Sequence, residues 1–312
     1  MNKPELIVSV DTYNQIHPFI NAGIDGLVIT DNRFSLTGNG NFTQLEMERI
    51  IEECKASDVN IYLQVDAVMP NELLEEFELF IEEIRLLPFD GIRVSDLGAF
   101  RLLKENLPNM ALHLVDGMVL TNVETINFWA YRGIDRVRVA HELTLDEVVE
   151  IKAGAKCGIE VLVHGAPLMF TSRRRLIDNF LDFKARFGQN IELPATDNQL
   201  FDEERQLYYP IFQNQHGTHI FSGSDVCMID DLDELLNVDS LYLEKFTYKD
   251  DDFIKLIELY RFAIDLFATN FSDYKKARRA LQIKALKRQA ANREINTGFF
   301  YKPTIYKNKE EV

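Results

Sequence analysis

Cysteine is scarce and scattered: Cys54, Cys157 and Cys227 stand alone, with no C-x-x-C pair among them. An odd number at such spacing argues against a disulfide framework and a cysteine-rich metal site, and it points to a reducing cytoplasm. No segment approaches the about 18 uninterrupted apolar residues of a membrane span. The opening MNKPELIVSVDTY carries neither a signal-type apolar core nor a small-residue cleavage site. In that compartment the sequons at 41–43 and 270–272 carry no glycosylation meaning. Common catalytic signatures are missing as well: there is no G-x-S-x-G, no H-E-x-x-H, and no G-x-G-x-x-G after the first apolar run. His141-Glu142-Leu143 has no second ligand at helical spacing, which leaves zinc without a site. Ser172 near His164 makes a poor nucleophile–base pair, with no elbow and no orienting group.

Excess positive charge is also lacking. Against 50 Asp and Glu stand 34 Lys and Arg, a net charge of −16 over 312 residues. The distribution is uneven, because residues 273–312 hold eleven Lys and Arg against four Asp and Glu, while residues 1–272 carry −23. This reads as a basic arm on an acidic body.

What is abundant is a repeated phrase. GIDGLVIT (23–30), PFDGIRVS (88–95), GIDRVRVA (133–140) and NVDSLYLE (237–244) each place an Asp before an aliphatic run, and each follows a helix-like stretch. Strand character recurs at 5–10, 60–65, 110–115 and 159–164, with amphipathic helical segments such as 43–57, 71–87 and 144–155 between. Eight βα steps in about 250 residues predict a (β/α)₈ TIM-type barrel. A doubly wound sheet is the weaker alternative. The seventh and eighth strands lie too far apart for a simple connection, so an insert over 165–237 is expected, with a helix over 173–187 and a hairpin turning at Asn214–Gly217. The barrel domain then covers 1–271. A basic C-terminal helix and tail cover 272–312, whose cations wrap most of the helix and leave a ragged stripe of Ala277, Ala280 and Leu281.

Candidate site residues follow from the expected barrel mouth, where strand ends present side chains to a ligand. His164 falls there as either a ligand contact or a hydrogen-bonded structural residue. Arg173, Arg174 and Arg175 form either an anion site, since guanidinium forks suit phosphate and carboxylate, or ion pairs with the acidic body. Asp66, Asp116, Glu142 and Glu244 sit at or just after strand ends, as substrate contacts or as hydrogen-bond acceptors behind them. In the arm, Lys275, Lys276, Arg278, Arg279, Lys284, Lys287 and Arg288, with Phe299, Phe300, Tyr301 and Tyr306 following, suit either a solvated helix with i,i+4 contacts to an acidic surface or nucleic-acid binding by charge and stacking.

EVLVHGAPLMFTSRRRLID (160–178) resembles the signature of the collagenase-like peptidase family U32: Glu160, Gly165 and Ala166 match, but Leu168 and Arg175 stand where that pattern has cysteines. The similarity extends through AGIDGLVI, LHLVDGMVLTN, HELTLDEVVEI, the 209–235 segment and NTGFFYKP. Within the family the chain looks most like the short subunit of a pair implicated in 5-hydroxyuridine formation at the tRNA wobble position. The resemblance implies a barrel, prephenate-linked tRNA hydroxylation, tRNA as partner and a cysteine-bearing paralogous subunit. It implies an iron–sulfur cluster only where cysteines are present, so no cofactor is expected on this chain beyond a small anion such as prephenate. A peptidase true to the family label, or a non-catalytic structural partner, are the alternative expectations.

Overall fold

The structure is a computed structural model that describes residues 3–36, 38, 40–115, 119–193, 198–235, 237–246, 248–286 and 293–302. Seven barrel strands run in sequence order: β1 (Glu5–Ser9), β2 (Gly26–Thr30), β3 (Asn60–Val65), β4 (Gly91–Val94), β5 (Leu112–Leu114), β6 (Arg136–Arg138) and β7 (Gly158–Gly165). Between them lie helices α1 (Ile16–Asn21), α2 (Gln44–Ala56), α3 (Asn71–Ile84), α4 (Leu97–Asn106), α5 (Val123–Ala130) and α6 (Leu145–Gly154). The insert follows, with β8 (Leu168–Ser172), α7 (Leu176–Arg186), β9 (Gln199–Asp202), β10 (Leu207–Asn214) and β11 (Gly217–Phe221). The chain continues through β12 (Ser224–Cys227), α8 (Leu232–Leu235), the last barrel strand β13 (Ser240–Leu243), α9 (Asp250–Thr269), α10 (Phe271–Leu286) and β14 (Glu294–Asn296). Because β13 pairs in parallel with both β7 and β1, the eight parallel strands close into a (β/α)₈ barrel. None of the described helices is long and apolar enough to cross a membrane.

The repeated Asp has a physical job. Asp25, Asp90, Asp135 and Asp239 each donate their backbone N–H to a carbonyl on the preceding barrel strand, at Leu6, Ile61, Leu112 and Ile159. Their carboxylates accept from the N–H of those same four residues at 2.6–2.9 Å. Each Asp therefore clamps one residue of its neighbour at both backbone groups, tying β1 to β2, β3 to β4, β5 to β6 and β7 to β13. Thr43 with Glu46 and Thr144 with Glu147 close capping boxes on α2 and α6. Asp96 and Asn122 cap α4 and α5, so helix starts are written locally in the sequence.

The large apolar core lies between barrel wall and helices. Inside the barrel Ile7, Val28, Tyr62 and Tyr242, with Leu162 against them, make a small apolar cluster. Polar groups fill the rest of the interior. At the N-terminal end of the barrel, Glu5 takes an ion pair from Arg136 (2.6 Å) and hydrogen bonds from Tyr62 and Asn60.

The insert forms a four-stranded antiparallel sheet in the order β8-β11-β10-β9, with the hairpin turn at Asn214–Gly217 as expected. Gly217 (φ +123°) is required there, because a Cβ would strike the Ser172 carbonyl. The sheet docks over the barrel through Asn214 to the Leu36 carbonyl and through rings of Phe212 and Phe221 against Phe246. Arg173–Arg175 precede α7 and lie outside it, so the helix is shorter at its start than its sequence reading.

The C-terminal arm departs from expectation. Tyr274, Leu281 and Ala285 are buried, and α10 packs along α9. The apolar stripe looks ragged only when the tyrosine is left out of it. Tyr274 also accepts from the Leu232 N–H and donates to the Ile229 carbonyl, which secures the helix. β14 returns to pair with β12, Arg293 binds Asp225 at 2.7 Å, and Phe300 is buried, so that ring is not presented for stacking.

Candidate functional site

Alternation along the strands sends Gln64, Arg93, Arg138, Glu160 and Tyr242 into the upper barrel, with Asp66 and Glu244 just beyond the strand ends. Arg93 is fully buried and holds Glu160 bidentately, at 2.8 and 2.7 Å. Arg138 Nε donates to the same carboxylate at 2.5 Å, and its guanidinium lies 3.8 Å from the Tyr242 ring centre. Arg93 Nε reaches Gln64, which donates to Asp66 (3.1 Å), and Asp66 also accepts from the Ser35 hydroxyl and the Leu36 N–H. Burial alone would raise the Glu160 pKa, but Arg93 and Arg138 outweigh it and hold the carboxyl well below its usual range.

Above this network lies a cavity of about 420 Å³, walled by Arg138, His141, Asp66 and Glu244 and roofed by Leu168 and Phe170 of β8. Arg138 Nη2 is buried without a hydrogen-bond partner. A guanidinium anchored at one edge and unpaired at another leaves an N–H donor free inside the cavity. Burial pushes Glu244 up to about 7, against the opposing pull of Arg138. Glu244 is thus the cavity group poised to change charge near neutrality. Its backbone is approached so closely by Gly165 (φ +99°) that any Cβ there would strike the Glu244 carbonyl. Burial lowers the pKa of His141, whose ring faces the cavity, against the opposing effect of Glu142.

Of the residues singled out from sequence, Glu244 and Asp66 line the cavity. Asp66 accepts from Ser35, Leu36 and Gln64, so it serves as an acceptor holding the network. His164 does not reach the mouth. Tyr242 opposes Leu162, but the next residue, Leu243, opposes His164, so β7 carries one extra residue and the bulge turns His164 outward. There it is buried between the hydroxyls of Tyr260 (3.1 Å) and Tyr248 (2.9 Å), which also rules out its pairing with Ser172. Arg173, Arg174 and Arg175 are exposed and stand off the cavity: Arg175 pairs with Asp178, and Arg173 borders a separate cleft beside Arg33 and His216. Glu142 is exposed while its neighbour His141 faces the cavity. Asp116 lies outside the described residues.

In the arm, Lys275 and Arg278 pair with Asp233, Arg279 with Asp230, and Lys276 with Asp273. Lys284 is exposed, and Lys287 and Arg288 lie outside the described residues. Most of this charge is therefore spent on the protein's own carboxylates. The residues missed were Arg93, Arg138 and Glu160 as a network. Their signal was visible: arginines alternating with valines in GIRV and RVRV, inside strands otherwise too apolar to need charge.

The model of the family described as Peptidase family U32 matches residues 11–310. The chain is 32% identical to tRNA hydroxylation protein P2 of Bacillus subtilis over 98% of its own length and 100% of that protein's. It is 23% identical to tRNA hydroxylation protein P1 of the same bacterium, over 96% of this chain and 71% of that one. With tRNA hydroxylation protein P of Escherichia coli the identity is 26%, covering 85% of this chain and 68% of the relative.

Proposed function

The chain belongs to peptidase family U32, and on that premise we propose that it is a tRNA-hydroxylation subunit whose barrel mouth binds a small carboxylate anion of the prephenate class. The full-length relative named for tRNA hydroxylation supports the first half. The observation that carries the second is Arg138, fixed by Glu160 with Nη2 unpaired in a cavity that also holds Glu244. A guanidinium edge and a carboxyl that is protonated below about pH 7 together favour an anion over a cation.

Leu168 roofs the cavity, and Arg175 is turned away onto Asp178, so the two positions that would carry thiolates do not fit an iron–sulfur cluster. None of the three cysteines lines the cavity. The redox cofactor then belongs to a partner, and a cysteine-bearing paralogue fits that role. The P1 and P2 relatives come from one organism, which supports pairing. tRNA as substrate supports a cytoplasmic location. A peptidase reading has no comparable support, since the Ser172–His164 pair is not formed.

Calorimetric titration with prephenate and mass spectrometry of tRNA nucleosides test this together. Arg138→Ala should weaken anion binding by about 10- to 100-fold, the worth of a charge-assisted contact, and cells carrying only that variant should lose 5-hydroxyuridine. Full hydroxylation in those cells, or no heat from any small carboxylate with the wild type, would overturn the reading.

A further inference from the structure

Resting on that reading, we propose that the rim of the insert, Arg173 and Arg174 together with the outer aromatic stripe of α7, is the surface on which an unpaired RNA loop docks. Three observations carry it. No ion pair joins Arg173 or Arg174 to a carboxylate among the described residues, the nearest candidate being Glu76 across the cleft that Arg173 borders, although the chain carries a net −16. In such a chain, free adjacent guanidiniums mark a place where negative charge is to be supplied from outside.

The second observation is the helix that follows. α7 is tied to the sheet by the N–H groups of Leu176 and Ile177, which donate to Thr218 and Gln213, yet no residue of it is fully buried. Phe180, Phe183 and Phe187 stand 46%, 55% and 70% exposed, at i, i+3 and i+7 spacing on one face. Phe183 and Phe187 have ring centroids 4.9 Å apart, and Lys184 Nζ lies 5.6 Å from the Phe180 ring. Flat rings interleaved with cations stack on bases while neutralising phosphates. Asp178 and Asp182 share the helix, but Asp178 is occupied by Arg175.

The third is position. β8 roofs the cavity at Leu168 and Phe170 and ends at Ser172, one residue before the free arginines. At about 3.4 Å per residue, RNA held on the rim lies within a nucleotide or two of the anion site. A protein partner would bury the phenylalanines but would leave two arginines to find carboxylates. An RNA loop answers both features with one chemistry. The cations of α10, by contrast, are mostly paired already.

Fluorescence anisotropy with a labelled anticodon stem-loop, and with the same stem as a plain duplex, tests the proposal on the full chain. The substitutions are on the surface, and circular dichroism melts confirm folding. The wild type should prefer the loop. Arg173→Ala with Arg174→Ala should weaken binding at least tenfold and reduce the slope of log affinity against log salt by about 1.4, for two single-strand phosphate contacts. Phe183→Ala with Phe187→Ala should cost at least tenfold, and Lys276→Ala with Lys284→Ala less than threefold. Wild-type RNA affinity in either insert variant overturns the proposal. So does equal binding of loop and duplex, or a phenylalanine variant that changes only the oligomeric state by light scattering. Hydroxylation lost on deleting the protein but kept in the insert variants would sink this inference alone and leave the subunit assignment standing.

Discussion

Glu160 takes hydrogen bonds from Arg93 and Arg138 at once, in a place that water does not reach. Removing it would strand a buried guanidinium, so Glu160→Ala should cost about 3–5 kcal/mol in urea unfolding. A loss below about 1 kcal/mol would mean that the arginines find other acceptors. The sign of its pH effect follows from the lowered pKa. The stabilisation is complete above the ordinary carboxylate value of 4.5 and is lost as pH falls toward the lower native value. Glu244 behaves in the opposite sense. Raised to about 7, it is neutral in mildly acidic solution and becomes a carboxylate beside Arg138 as pH rises. Anion affinity should therefore decline through about pH 7 in the wild type and stay flat over the same range in Glu244→Gln; calorimetry at pH 6 and pH 8 decides it. Neither role was legible from strand-end position alone, because Glu142 shares that position and is exposed. What distinguishes Glu244 is its place in the covered cavity beside Arg138, under the insert.

Among the elements, the aspartate clamps are the clearest case of sequence stating geometry. The four repeats were visible as a phrase, and their recurrence at every second strand already predicted βα steps. Their purpose was not, since a residue in the preceding strand is 19 to 80 positions away. Asp135→Ala removes a charged acceptor from the Leu112 N–H and should cost about 1.5–3 kcal/mol by thermal or urea unfolding. Asp135→Asn, which keeps an acceptor, should cost less. The bulge in β7 is the counterexample. Period-2 alternation puts His164 inward, and one extra residue between Leu162 and His164 reverses it. For α10 the deciding residue was Tyr274, whose ring fills the core while its hydroxyl finds two backbone partners, so charge count alone misread a packed helix as a free arm.

Across the whole molecule, the insert docks over the barrel but is joined to it covalently through a narrow stem. Ser222 N–H bonds the Pro167 carbonyl at 2.9 Å, so the chain leaves and re-enters the barrel at adjacent points. Replacing residues 168–221 with a two-glycine linker should leave far-UV circular dichroism typical of a barrel and a cooperative melt at a lower midpoint, while abolishing anion binding. Collapse into an aggregated or non-cooperative species would show that closure of the mouth is needed for the barrel itself.

Local rules were sufficient for the eight strands, most helix starts and the hairpin, because each depends on neighbours within a turn or a pleat. The ionic interior and the direction faced by Arg138, His164 and Arg173–Arg175 depend instead on which residues the closed barrel brings together. A pairing such as Arg93 with Glu160 spans 67 positions, and no periodicity encodes a partner that distant. Barrel closure, a single bulge and an overlying sheet settle those directions, and with them where charge is left free to meet a ligand.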